Sequence, residues 1–144
     1  MPIAWSSRLE TGIRQIDLQH EELVAMINAA EAAHAKGDEA RALEEILPRL
    51  AAYVLFHFAT EEALFDNGVG LQHASAHRNA HAEFRIRLAA MNADAANGMP
   101  GALAQLLDYL QEWLINHIAV TDKELARAIQ SASAVQMQKS KPVC

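Results

Sequence analysis

Apolar residues recur at spacings of three and four along most of this chain, which is the pattern of amphipathic α-helices. Four segments show it, and they cover about residues 17 to 36, 38 to 66, 71 to 91 and 102 to 130. No stretch alternates between apolar and polar residues for long enough to predict a β-strand. The sequence therefore predicts an all-α protein.

The breaks between the segments are short and rich in glycine, which stops helices. They fall at Gly37, at Asn67 and Gly68, and between Asn97 and Gly101. Helices joined by short connections pack as antiparallel neighbours. We therefore expect an antiparallel up-down-up-down four-helix bundle. Pro48 lies inside the second segment and predicts either a kink or a late start.

The two ends of the chain lie outside this pattern. Residues 1–16 are predicted to form an N-terminal arm, with Trp5 packed against the bundle. Residues 131–144 show little periodicity and are predicted to be a mobile tail beyond a domain of residues 1–130. The only cysteine, Cys144, lies in this tail, which excludes an internal disulfide and indicates an exposed thiol.

Composition narrows the class of protein further. The chain has 144 residues, of which 51% are hydrophobic, so it can bury one core. Its net charge is −6 and its basic residues are scattered, which argues against a nucleic-acid surface. The N-terminus resembles no signal peptide, and no apolar run approaches the length of a membrane span. We expect a soluble, cytoplasmic protein.

Histidines occupy positions that the helical spacing assigns to the core in all four segments. His57 and Glu61 are four residues apart, as are His77 and His81, so each pair lies on one helix face. A lone buried histidine is more often a hydrogen-bonded core residue than a ligand, and one His–Glu pair is more often a surface contact. A whole layer of buried histidines without partners would cost several kcal/mol. A metal centre removes this cost, and imidazole with carboxylate suits iron, zinc or copper.

Two other metal-site patterns fit the sequence less well. The zinc-protease helix needs a glutamate directly after its first histidine, and Arg78 follows His77. The ferritin-like di-iron plan needs two Glu-x-x-His motifs, and only Glu31 with His34 provides one.

Four ordered segments carry a resemblance to a known family. They are Gly12 to His20 (GIRQIDLQH), His57 to Glu62 (HFATEE), His77 to Phe84 (HRNAHAEF) and Trp113 to Lys123 (WLINHIAVTDK). Together they resemble the hemerythrin family, in particular its single-domain bacterial members, from Trp5 to about Leu125.

The resemblance implies a non-heme di-iron centre that binds O2 reversibly. One iron would be held by His77, His81 and His117, and the other by His20 and His57. Glu61, Asp122 and an oxo or hydroxo group would bridge the two ions. An apolar cover over the O2 site would comprise Leu23, Phe58, Trp113 and Ile118, for which plain core packing is the alternative interpretation.

Two of these positions have competitors. Asp122 lies about 140° around an ideal helix from His117, and regular geometry favours Thr121 or Glu124. Asp122 therefore rests on the resemblance and requires a local distortion. His73 has the same spacing to His77 as His81 does; we prefer His81 because Phe84 follows at the family's spacing.

The function implied is that of an oxygen carrier, store or delivery protein, with O2 as ligand and no catalytic residues. One alternative is an enzyme: a di-iron oxidase, peroxidase or NO-reducing protein. Another is a sensor of O2 or redox state. The sequence identifies no protein partner.

Overall fold

Helices make up nearly all of residues 2–66 and 69–140, which are the residues that the computed structural model describes; side chains are described up to residue 132. These residues contain no β-strand. The α-helices are α1 (Arg14–Ala35), α2 (Glu39–Arg41), α3 (Leu47–Ala63), α4 (Leu71–Ala96), α5 (Ala102–Asn116) and α6 (Lys123–Ser140). Two π-helical turns, Ala42–Ile46 and His117–Asp122, join α2 to α3 and α5 to α6. Single 3-10 turns occupy Ser7–Leu9 and Leu64–Asp66.

These elements form four rods: α1; α2 with the first π turn and α3; α4; and α5 with the second π turn and α6. The first rod packs against the second and the fourth, and the third packs against the second and the fourth. Successive rods run in opposite directions. The all-α four-helix bundle predicted from the sequence is confirmed.

Pro48 lies in the first turn of α3, which corresponds to the late start that was one of its two predicted effects. The first π turn ends where Leu47 donates its backbone N–H to the carbonyl of Ala42, five residues back. Proline has no N–H to continue an α-helical ladder, and it is tolerated in the first turn of a helix. The second segment is therefore divided just before its proline.

The N-terminal arm is held against α1 by side chains. Asn28 exchanges two hydrogen bonds of 2.8 Å with the backbone of Ile3, and Trp5 packs on the core as predicted. The helix begins at Arg14, three residues before the predicted start at Asp17. The Asp17 carboxylate lies inside the first turn and accepts hydrogen bonds from Thr11, a favourable place for a negative charge.

Two helices continue beyond their predicted ends. The third segment extends from the predicted end at Met91 to Ala96, and the fourth extends from Gln130 to Ser140. The added residues are mainly alanine, glutamine and other good helix formers, without glycine or proline. The predicted tail is therefore helical as far as Ser140. Residues 141–144, with Cys144, lie outside the described residues, as do Asn67 and Gly68 at the second break.

Apolar residues form two clusters inside the bundle, with a polar layer between them. The smaller cluster consists of Ile16, Phe65, Ala74 and Leu125. The larger one fills the rest of the bundle and includes Leu23, Val54, Phe84, Leu114 and Ile118. On each rod the buried polar residues lie between members of the two clusters, so the bundle encloses a layer of histidines and carboxylates.

Candidate metal centre

All seven metal ligands proposed from the sequence lie in this polar layer, and each is at most 4% exposed. Every rod contributes: His20 comes from α1, His57 and Glu61 from α3, His77 and His81 from α4, and His117 and Asp122 from the second π turn. Helical spacing brings two of the pairs that share a rod, His57 with Glu61 and His77 with His81, to one face. The structure thus brings the whole predicted set together.

The second π turn explains the position of Asp122. A π turn forms hydrogen bonds between residues five apart, so residue i+5 lies nearly above residue i. His117 and Asp122 are the first and last residues of this turn, and both are buried. Thr121 and Glu124, which a regular helix favours, are not buried. The local distortion that the resemblance required is confirmed.

The donor atoms divide into two groups that share both carboxylates. In one group, donors of His77, His81, His117, Glu61 and Asp122 all lie within 4.8 Å of one another. In the other, donors of His20, His57, Glu61 and Asp122 do so. One position is thus surrounded by five residues and the other by four.

Glu61 turns one oxygen towards each group. Its Oε1 lies 2.7 Å from His57 Nε2 and 3.3 Å from His20 Nε2. Its Oε2 lies 3.0 Å from His81 Nε2 and 3.1 Å from His77 Nε2. A carboxylate in this orientation can bridge two cations.

Asp122 repeats the arrangement of Glu61 from the opposite side of the bundle. Its Oδ2 lies 2.8 Å from His20 Nε2, and its Oδ1 lies 3.0 Å from His117 Nε2 and 3.1 Å from His77 Nε2. Both oxygens are buried, and neither accepts a hydrogen bond of good geometry. Such oxygens fit the coordination of a cation.

The electrostatics of the layer are those of tightly coupled opposite charges. Burial favours neutral forms, but contacts with the imidazoles outweigh it and hold the pKa values of Glu61 and Asp122 below their ordinary range. Burial also opposes charge on His20 and His117, yet contacts with the two carboxylates raise the pKa of each to about 9. These contacts favour protonated His20 and His117 beside ionised Glu61 and Asp122, whereas burial lowers the pKa of His81.

The imidazole nitrogens of the three-histidine group converge on one point. His117 Nε2 lies 3.1 Å from His81 Nε2 and 3.3 Å from His77 Nε2. Each of these close contacts needs a proton or a cation between two nitrogens. One metal ion would satisfy all three imidazoles at once, and the nitrogen and carboxylate donors suit iron, zinc or copper. The residues therefore fit a bound metal.

Aromatic side chains hold the rings of this group in place. Phe58 stacks on His81 with ring centroids 3.7 Å apart and planes within 6° of parallel. Trp113 stacks on His117 at 4.2 Å. Packed rings have few alternative rotamers, so these two imidazoles are oriented before any ion binds.

An apolar cavity of about 10 Å³ lies beside the polar layer. Three of the four residues proposed to cover an O2 site line it, namely Leu23, Phe58 and Trp113. The fourth, Ile118, is fully buried but does not line the cavity. The other lining residues are Ile27, Leu50, Val54, Phe84, Leu110 and Leu114. Apart from the indole N–H of Trp113, the lining side chains carry no polar group, so the cavity offers water few partners.

The remaining histidines of the predicted segments lie outside the donor groups. His73 is partly exposed, with its ring centroid 6.0 Å from that of His77. His34 lies near Glu39, with 3.6 Å between Nδ1 and Oε1, and its side chain is 35% exposed. Neither joins a donor group among the described residues.

One residue of the site was missed by sequence reasoning. Gln19 is buried, and its Oε1 lies 2.7 Å from His57 Nδ1. Its spacing offered a signal, because Gln19 lies three residues after Ile16 and four before Leu23, on the buried stripe of α1. A polar residue at such a position indicates a buried partner.

A helical bundle that encloses five histidines and two carboxylates defines the chain as a metal-binding four-helix-bundle protein. The sequence model of the hemerythrin HHE cation-binding domain matches residues 11–129. The chain therefore belongs to the hemerythrin family, and the resemblance seen in the sequence is confirmed. No helix of the described residues is both long and apolar enough to cross a membrane.

Individual relatives support the same assignment. The chain is 34% identical to a bacteriohemerythrin of Pseudomonas paraeruginosa, over 89% of this chain and 82% of the relative. It is 29% identical to a bacteriohemerythrin of Stenotrophomonas maltophilia, over 90% and 82%. It is 30% identical to a hemerythrin-like protein of Naegleria gruberi, over 84% and 88%.

Proposed function

We propose that this chain binds O2 reversibly at a pair of iron ions, as an oxygen carrier, store or delivery protein. The observation that carries the proposal is the division of seven donor residues into two groups that share both carboxylates. The proposed ligands are His77, His81 and His117 for one ion, and His20 and His57 for the other. Glu61 and Asp122 would bridge the two ions.

The unequal donor numbers give the two positions different tasks. The three-histidine position is surrounded by five residues and the two-histidine position by four, so an ion at the second position would have fewer protein ligands and could accept an added one. Iron, when bound, supplies the electrons and the free coordination position that O2 requires. Leu23 lies one turn after His20 on α1, and Phe58 stacks on His81 of the three-histidine group. Both line the apolar cavity, so the apolar cover would adjoin both positions.

The cavity supports binding rather than catalysis. A dry, apolar cover keeps water and protons away from the ions, which protects a reversible complex. An oxidase or peroxidase would use a nearby acid or base to deliver protons. None lines the cavity among the described residues. We therefore propose a binding protein and not an enzyme, built from a domain of residues 1–130.

The test is the visible absorption spectrum of iron-loaded protein during repeated cycles of deoxygenation and exposure to air. We expect a charge-transfer band that forms with O2 and disappears on degassing in every cycle. A band that forms once and persists would favour oxidase, peroxidase or sensor chemistry. Two bound ions per chain without any O2-dependent band would contradict O2 binding.

A further inference from the structure

A series of three hydrogen bonds connects His57 to the backbone of its own helix, α3. His57 Nδ1 lies 2.7 Å from Gln19 Oε1. Gln19 Nε2 donates to Thr60 Oγ1 at 3.1 Å, and Thr60 Oγ1 donates to the carbonyl of Phe56 at 3.1 Å. The chain crosses from α3 to α1 and returns to α3.

The direction of each hydrogen bond follows from its last member. The Phe56 carbonyl can only accept, so the single hydroxyl proton of Thr60 points towards it. Thr60 Oγ1 must then accept from the amide nitrogen of Gln19, which turns the amide oxygen towards His57. An amide oxygen cannot donate, so His57 carries a proton on Nδ1. Its Nε2, 2.7 Å from Glu61 Oε1, is the nitrogen turned towards the donor group.

We propose that Gln19 is a positioning residue that fixes the ring orientation and the tautomer of His57, and thereby sets the affinity of the two-histidine position. The inference rests on the proposed function, because it assigns Gln19 to one of two metal positions. Partners of a ligating imidazole that accept from its second nitrogen change metal affinity by about 10- to 100-fold. Gln19 is 7% exposed and adjacent in sequence to His20. Helix α1 therefore supplies both the ligand His20 and the residue that positions the ligand His57.

Three of the other four ligand rings lack such a support. The Nδ1 atoms of His20, His77 and His81 are buried and make no hydrogen bond among the described residues. The carboxylate nearest to His81 Nδ1 is that of Glu62, at 3.7 Å, which is too long for a hydrogen bond. Removing Gln19 should therefore affect one metal position and spare the other.

The first test compares the wild type with Gln19→Met, which keeps the length of the side chain and removes the acceptor. Gln19→Glu restores an acceptor oxygen, and Gln15→Met is the matched control, because Gln15 is exposed one turn earlier on α1. Each full-length chain is titrated with Fe²⁺ without oxygen, and bound ions are counted by competition with a chelator. We expect two ions in the wild type and in Gln15→Met. In Gln19→Met one ion should bind about 10- to 100-fold more weakly, and Gln19→Glu should recover the affinity.

A second measurement follows the His57 Nδ1 proton by NMR in the metal-free chains. The signal should be present and protected from solvent exchange in the wild type and in Gln19→Glu, and should exchange rapidly in Gln19→Met. Wild-type affinity for both ions in Gln19→Met, or equal weakening of both, would overturn the inference. Fewer than two Fe²⁺ in the wild type would instead overturn the proposed function, and an unchanged proton signal in Gln19→Met would refute the role of Gln19 independently.

Discussion

Replacing Glu61 with glutamine keeps the shape of this side chain and removes its charge. Glu61 is fully buried, and its two oxygens lie between imidazoles of both donor groups. In the metal-free chain it is one of two anions that balance the protonated rings of His20 and His117. The substitution therefore measures how much of the stability of the metal-free bundle depends on charge balance in the polar layer.

The expected loss of stability can be calculated from the raised pKa values of the imidazoles. Glu61 and Asp122 raise the pKa of His20 from 6.5 to about 9 against the effect of burial, which corresponds to roughly 3 kcal/mol of stabilisation of its charged form. As an independent comparison, removing one partner of a buried ion pair in other proteins costs about 3–5 kcal/mol of stability. We expect Glu61→Gln to lower the free energy of unfolding of the metal-free chain by about 3 kcal/mol at pH 6.

The effect should depend on pH with a defined sign. The folded pKa of His20 and of His117 lies above the unfolded value of 6.5. Their stabilisation is therefore complete below pH 6.5 and is lost as the pH rises through about 9. At pH 10 both rings are neutral, and the cost of Glu61→Gln should fall below about 1 kcal/mol. Urea unfolding with a chelator present, at pH 6 and pH 10, measures both values.

Glu62→Gln is the matched control on the same helix. The side chain of Glu62 is 26% exposed, and its Oε1 lies 3.7 Å from His81 Nδ1. Such a pair is worth about 1 kcal/mol or less. Equal losses at pH 6 and pH 10 for Glu61→Gln would show that Glu61 contributes through packing, and the electrostatic reasoning would be wrong.

Further predictions concern packing, the π turn and metal binding. Phe58→Ala should lower the free energy of unfolding, measured in urea, by about 3–5 kcal/mol, because Phe58 is buried against His81. Leu55→Ala, on the exposed face of the same helix, should change it by less than about 0.5 kcal/mol. Exchanging Thr121 and Asp122 should reduce bound Fe²⁺ below two per chain by elemental analysis, since the π turn presents residue 122 to the layer. Fe²⁺ at about 1,000 times its dissociation constant should raise the free energy of unfolding by about 4 kcal/mol, and no rise in calorimetry would contradict metal binding.

Helical spacing alone was sufficient to predict most of the buried layer. His20, Leu23 and Ile27 lie on one stripe of α1, and all three are buried, because a surface helix turns one face inwards every three or four residues. The same rule placed the paired donors of α3 and α4. Periodicity could not predict a π turn, because one additional residue in a turn moves every later residue to a different face. Asp122 was therefore found through the resemblance and not from geometry.

The fourth rod extends ten residues beyond its predicted end at Gln130, to Ser140, for another reason. Residues 131–140 show little apolar periodicity, but they lack glycine and proline and contain good helix formers. The helix propensity of these residues is sufficient for a helix even though their sequence shows no apolar stripe. Gln19 was not predicted because glutamine is not among the usual metal ligands. In the proposed role it contacts the ligand His57 and does not bind the ion itself.

The distribution of the donors over four rods ties metal loading to the completion of folding. His20 and Asp122 are about one hundred residues apart in the sequence, so an ion held by both would close a long loop, as a crosslink would. A chain whose last rod has not docked lacks His117 and Asp122 and has no second carboxylate for either position. During synthesis these two residues emerge after all the other donors. Under the proposed function, both ions would therefore be taken up only by the completely folded bundle.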